Sequence, residues 1–261
     1  MSVLDLATSR AANLQAIFCA SQHENQVLRS CSVLQDSTLA ARLVRITFSL
    51  PNTPPVTHYL ERLTLPSPAG ADPPQIHDPE LEGAFGFTER LEQGIVGPVF
   101  SGTLRPVKGA RSINSCAGFL TPPVPVVAKV AFHPAETQLL LHEAAIYARL
   151  SHLHGSAIPR IFGAFAGCGF TVLVMAHGDV QVDQIGALSR GQRASLYTDL
   201  ERLHAGGVLH GDLRAENIVV SATDVPSIVD LSHARIHQCK GAAACEELRE
   251  ARAFFGLVGG L

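Results

Sequence analysis

The chain reads as an α+β protein, sheet-rich in its first half and helix-rich in its second. Three observations lead to that reading. Up to Phe132 the apolar residues come in short runs bounded by Pro, Gly and Asn, the pattern of strands and turns. Over Ala135–Leu153 the period changes: Leu139, Leu140, Ala144, Tyr147 and Leu150 recur at three-to-four spacing, which lines one face of a helix. After that, short apolar runs alternate with two more helical patterns.

Taken in order, residues 1–36 read as a helix followed by loose chain. Ala41–Leu50 and Val56–Leu65 read as strands, with Pro51-Asn52-Thr53-Pro54-Pro55 as the turn between them. Pro66–Pro79, rich in Pro, Gly and Asp, reads as a linker. Phe87–Leu91, Val99–Leu104 and Val124–Phe132 read as further strands, the last two joined by a loop over 105–122. Ile161–Phe165 and Phe170–Met175 form a hairpin around Gly167-Cys168-Gly169. Gln192–Ala205 is helical, with Leu196, Leu200 and Leu203 on one face. Ile218–Ser221 and Ser227–Val229 are short strands, and Glu246–Phe254 is a last amphipathic helix. No internal repeat is visible.

The composition narrows the function classes. Of 261 residues, 46% are hydrophobic and 16% charged, enough apolar surface for a core and too little charge for general disorder. A net charge of −3 offers no footprint for nucleic acid. No apolar run approaches the ~18 residues that span a bilayer, and MSVLDLATSR lacks the basic and apolar segments of a signal peptide. Six cysteines without C-x-x-C pairs point to reduced thiols in an intracellular protein, cytoplasmic or nuclear.

The segment His210-Gly211-Asp212-Leu213-Arg214-Ala215-Glu216-Asn217 carries the most chemistry. An apolar helix ends before it, and a short apolar strand follows. Phosphoryl transfer needs a carboxylate to accept the proton of an attacking hydroxyl, an oxygen on the metal and a cation on the transferred phosphate. Asp212, Asn217 and Arg214 offer these three. Thirteen residues after Asn217, Asp230 ends another apolar run and offers a second hard oxygen for Mg²⁺.

His210–Asn217 resembles the catalytic loop of the protein-kinase-like superfamily, usually H-R-D-L-K-x-x-N, with Asp230 at the place of the metal-binding D-F-G aspartate. Val126-Val127-Ala128-Lys129 resembles the strand bearing the phosphate-binding lysine, and Glu143 the glutamate that pairs with it. Glu136 is a rival partner, although at a helix start it is also placed to cap. Residues 91–102 resemble the Gly-rich loop, with Gly94 and Gly97 on the phosphates and Val99 over adenine; Glu92 stands where the first glycine would be. Met175, Ala176 and His177 resemble the hinge that contacts adenine.

The resemblance implies a two-lobed, protein-kinase-like fold with a β-rich N-lobe over 81–177 and a truncated helical C-lobe over 178–261. Residues 1–80 would be an extension with possible extra strands. It implies ATP and Mg²⁺ as cofactors and a γ-phosphate passed to a hydroxyl acceptor, protein Ser/Thr first. In the family the Arg of H-R-D pairs with a phosphorylated activation loop, so Gly211 implies no such control here. The H-G-D loop is also similar to that of small-molecule kinases and to short fungal kinase-like proteins. Glu92 and the short second half favour a different class, a nucleotide-binding pseudokinase serving as a scaffold. Neither a nucleic-acid nor a membrane partner is expected; the acceptor is an unknown protein or small molecule.

His233, His237, Cys239 and Cys245 are zinc-ligand types spaced H-x3-H-x-C-x5-C. Structural zinc sites more often use tighter cysteine pairs, so these four read as ordinary residues flanking a helix.

Overall fold

A computed structural model describes residues 43–64, 83–94, 96–106, 123–178 and 180–257. The helix read into 1–36 and most of the two loops read at 66–79 and 105–122 fall outside them. The chain divides into two compact units. One takes its described residues from 1–64, 77–140 and 163–174, the other from 141–162 and 175–261.

The first unit is built on strands whose side chains alternate between buried and open. In β1 (Leu43–Phe48), Val44, Ile46 and Phe48 are buried while Arg45 is exposed. In β2 (Val56–Arg62), His58 and Leu60 are buried between exposed neighbours. This two-residue period puts one face of each strand into a core. β3 (Gly83–Gly94), β4 (Gly97–Pro106), β5 (Val124–Ala131), β6 (Ile161–Gly167) and β7 (Phe170–Ala176) complete a closed barrel in the order β1-β2-β6-β7-β5-β4-β3.

Closure depends on the β1–β2 hairpin. β1 pairs with β3 in parallel, Ile46 opposite Phe85 and Phe48 opposite Phe87. β2 pairs with β6 antiparallel, Glu61 opposite Ala166. Inside, the Phe48 ring lies 5.2 Å from Phe100, 5.4 Å from Phe87 and 6.3 Å from Phe170. His58 meets Phe170 edge-on at 5.0 Å. Aromatic rings bring the largest apolar area per residue to such a core.

In the second unit, a 16-residue helix crosses in from the first: α1 (Pro134–Arg149). Its start is capped by Glu136, whose Oε2 accepts the N–H groups of Phe132 and His133 at 3.0 and 3.2 Å. α2 (Arg190–Ala205) opens on a capping box: Ser189 Oγ accepts from Gln192 N, and Gln192 Oε1 accepts from Ser189 N. α3 (Glu246–Phe254) buries Leu248 and Ala251. The loops carry β8 (Val180–Gln181), β9 (Val208–Leu209), β10 (Ile218–Val220), β11 (Pro226–Ile228) and β12 (Arg235–Ile236), paired as β11-β10-β8 and β12-β9. Leu196, Leu200, Ile218, Ile228, Leu248 and Phe255 form the centre of this unit's core.

The expected two-lobed kinase fold with a helical C-lobe is overturned. The chain has a closed seven-stranded barrel and, among the described residues, three α-helices. Two physical causes account for the difference. The β1–β2 hairpin, read as an extension, inserts between β3 and β6 and turns a sheet into a ring. In the second unit, Gly206-Gly207, Gly211, Pro226 and Gly241 interrupt any helical period, so much of the backbone lies in two- and three-residue strands and tight turns. Among the described residues no helix is long and apolar enough to cross a membrane.

Candidate functional site

The sequence-derived residues fall into two groups, one in each unit. In the first unit, Gly94 and Gly97 are cross-strand partners at the β3–β4 hairpin, and Val99 lies directly opposite Lys129 between β4 and β5. Residues directly opposite each other share a sheet face, and this face is the reverse of the one that buries Phe100 and Ala128. Val99 and Lys129 are half-buried. Gly97 has φ +130°, and a Cβ there would overlap the Val130 carbonyl, so glycine is needed for the hairpin to lie against β5.

The second unit holds Glu143, Met175, Ala176, His177, Asp212, Arg214, Asn217 and Asp230. Met175 is buried at the end of β7; Ala176 and His177 are half-buried, and the Ala176 N–H donates to Arg160 O at 2.8 Å. Glu143 is fully buried on α1. One turn on, burial and then the charges of Glu143 and Asp230 push the Tyr147 phenol well above its ordinary range.

The His210–Asn217 loop is folded on itself. Asn217 Nδ2 donates to Asp212 O at 2.7 Å and to Asp212 Oδ2 at 3.1 Å. Both acceptors are oxygens, so the amide nitrogen must face them and Oδ1 points the other way. Arg214 Nε sits 3.4 Å from the same Asp212 Oδ2. The β10–β11 hairpin brings the second carboxylate alongside: Val229 N donates to Asn217 O at 2.9 Å, and Asp230 follows. That bond joins the backbone of Asn217, and through it the loop around Asp212, to the residue just before Asp230.

His210 ties the loop to that hairpin. Its Nδ1 accepts Asp212 N–H at 3.2 Å, so Nε2 carries the proton and donates to Val229 O at 3.2 Å. Burial lowers its pKa below the ordinary 6.5, against the opposing pull of the Val229 hydrogen bond and of Glu247, Asp230 and Asp212. Asp230 itself has φ +62°, a left-handed conformation that costs a non-glycine residue roughly 1–2 kcal/mol and that recurs where function constrains the chain.

Two further determinants come from contacts distant in sequence. Gly211 has φ +80°, and a Cβ there would come within 2.6 Å of His233 O; the backbone of the chain after Asp230 holds this position to glycine. Glu247, in the first turn of α3, accepts N–H groups from His210 at 3.0 Å and Gly211 at 2.6 Å, and His204 Nε2 lies 2.6 Å from its Oε2. Burial alone would raise the Glu247 carboxyl, but these donors outweigh it and hold it below the ordinary range. The helix itself is legible in the sequence; the tie from its first turn back to residue 211 has no local signal. His233 is exposed and bonds Ser232 Oγ at 3.2 Å, apart from the other three zinc-type residues singled out with it.

No family model matches the chain. A 99-residue stretch, 36% of the chain, is 29% identical to a protein named serine/threonine-protein kinase D from Synechocystis sp.. The chain spans about a fifth of that protein's length, the matched share being 19%. What this similarity supports is a kinase-like relationship over part of the chain, and it reaches no further.

Proposed function

We propose that the protein is an ATP- and Mg²⁺-dependent phosphotransferase that passes the γ-phosphate to a hydroxyl acceptor, protein Ser/Thr before small molecules. The observation that carries this reading is the Asn217 amide: its nitrogen donates to Asp212 O and Oδ2, so its Oδ1 faces the other way, while its backbone O accepts from Val229 N, one residue before Asp230. Mg²⁺ held by Asn217 Oδ1 and Asp230 would neutralise charge on the phosphates. Asp212 would take the proton of the attacking hydroxyl, its Oδ2 already committed to Asn217 and Arg214. Arg214, 56% exposed at its side chain, is the nearby cation that can swing toward a transferred phosphate. The partial similarity to a serine/threonine kinase supports the same class of chemistry.

The test is phosphate transfer from labelled ATP to a panel of protein and small-molecule acceptors, with nucleotide binding measured in parallel. Asp212→Asn is expected to cut transfer by about 10²–10⁴-fold, the usual scale for a general base, while nucleotide binding persists. Transfer that survives this substitution removes Asp212 from the mechanism. Binding of ATP without turnover on any acceptor identifies a scaffold instead, and absence of nucleotide binding ends the proposal.

A further inference from the structure

Beside the loop, on the far side of Glu247, lies a second cluster with its own chemistry. His204 from the last turn of α2, His237 and Cys239 from the segment after β12, and Cys245 at the start of α3 converge. Each offers one ligand atom, and the four lie within 4.8 Å of one another. Cys245 Sγ is 3.6 Å from His204 Nδ1 and 3.6 Å from His237 Nε2. In a tetrahedron the edge is about 1.6 times the bond, so zinc with Zn–N of about 2.0–2.1 Å and Zn–S of about 2.3 Å gives N···S edges of about 3.5–3.6 Å. The two separations from Cys245 Sγ match those edges, and the remaining pairs lie within 4.8 Å.

We propose that His204 Nδ1, His237 Nε2, Cys239 Sγ and Cys245 Sγ form a closed, structural zinc site. Three features support it beyond proximity. The donor set, two imidazoles and two thiols, suits Zn²⁺ and disfavours Mg²⁺ or Ca²⁺. His204 and Cys245 are 2% and 5% exposed, which leaves little room for an exchangeable water ligand. His204 already has the outer partner that a metal-binding histidine uses: Nε2 faces Glu247 at 2.6 Å, which leaves the Nδ1 lone pair for the metal. Zn²⁺ enters as both thiols lose their protons to solvent, so two protons leave for each ion bound.

The site joins the end of α2, the segment after β12 and the start of α3, and through His204 it orients the carboxylate that holds His210 and Gly211. It is thus a positioning element for the loop. It does not depend on the phosphotransferase reading, because its ligands touch none of that chemistry.

The full chain, purified under reducing conditions and loaded with Zn²⁺, is expected to retain one equivalent of zinc after dialysis, read by elemental analysis. Cobalt added to the zinc-stripped chain should give thiolate-to-metal charge transfer and the intense visible bands of tetrahedral coordination. Cys239→Ser combined with His237→Gln should lose the equivalent, whereas His233→Gln should keep it. Zinc removal should also lower the thermal midpoint. Substoichiometric zinc with no tetrahedral cobalt spectrum in the unmodified chain overturns the proposal, even if the variants do not fold. So does zinc retained by the double variant, or a Cys239–Cys245 disulfide that persists under reducing conditions.

Discussion

Glu247 Oε1 accepts the Gly211 N–H at 2.6 Å, so a helix more than thirty residues downstream holds the backbone just ahead of Asp212. With the neighbouring bond from His210 N to Oε2 at 3.0 Å, one carboxylate satisfies two successive amides. Glu247→Ala removes both charge-assisted bonds and is expected to cost about 3–6 kcal/mol, at about 1.5–3 kcal/mol for each. Urea unfolding of the two proteins checks this. A loss within error of zero would mean that the loop holds its shape without α3.

Acid is expected to weaken the fold in two steps. His210 is held neutral by burial, with its folded pKa below the ordinary 6.5. The unfolded chain therefore binds that proton first, and stability falls as pH drops from 6.5 toward the folded value. Glu247 is also depressed, below 4.5; its contribution is full above 4.5 and is lost as pH falls through the lower folded value. Thermal midpoints taken from neutral to acid pH should decline in that order. In Glu247→Gln the second step should shrink.

Gly211→Ala puts a Cβ within 2.6 Å of His233 O in a backbone at φ +80°. The strain alone is worth about 1–3 kcal/mol. Because residue 211 directly precedes Asp212, transfer activity should fall more steeply than the midpoint does, and paired melting and activity measurements show whether it does. Equal stability and activity for this variant would mean that the loop moves aside freely.

Phe48→Ala empties the middle of the barrel's aromatic cluster, where four rings surround one side chain. Truncation of a core phenylalanine costs about 3–5 kcal/mol, and calorimetry should show a loss of that size. A loss near zero would place Phe48 outside the cooperative core.

The strands and helices were largely legible, because alternation in Val44, Ile46 and Phe48 and the leucine stripe of α2 are local patterns. Their partnerships were not. Nothing in residues 43–62 says that β1 pairs with β3 in parallel while β2 reaches β6, since the same alternation serves any neighbour. The result was a kinase-like expectation where the chain closes a barrel. The polar loop was read as one group because its members are close in sequence, and the Asn217–Asp212 bond keeps them together. Glu247 and His204 escaped for the opposite reason: their chemistry is made by distant backbone, and neither belongs to a spacing pattern. The His and Cys residues after Asp230 read as ordinary flanks of a helix, because the fourth member of their cluster, His204, comes from the end of α2, far off in sequence.

The ring of strands also fixes an order of events during synthesis. β1 and β2 emerge early, yet Glu61 can meet Ala166 only after another hundred residues have been made. Contacts of such long range are slow to form. Until β6 arrives, the hairpin has half its hydrogen-bonding edge open and the Phe48 ring only partly covered, an interval in which a nascent chain is exposed to wrong pairing. Slowing translation after residue 62 should therefore lower the yield of folded protein, and a stop before residue 161 should leave a fragment whose first strands are accessible to protease.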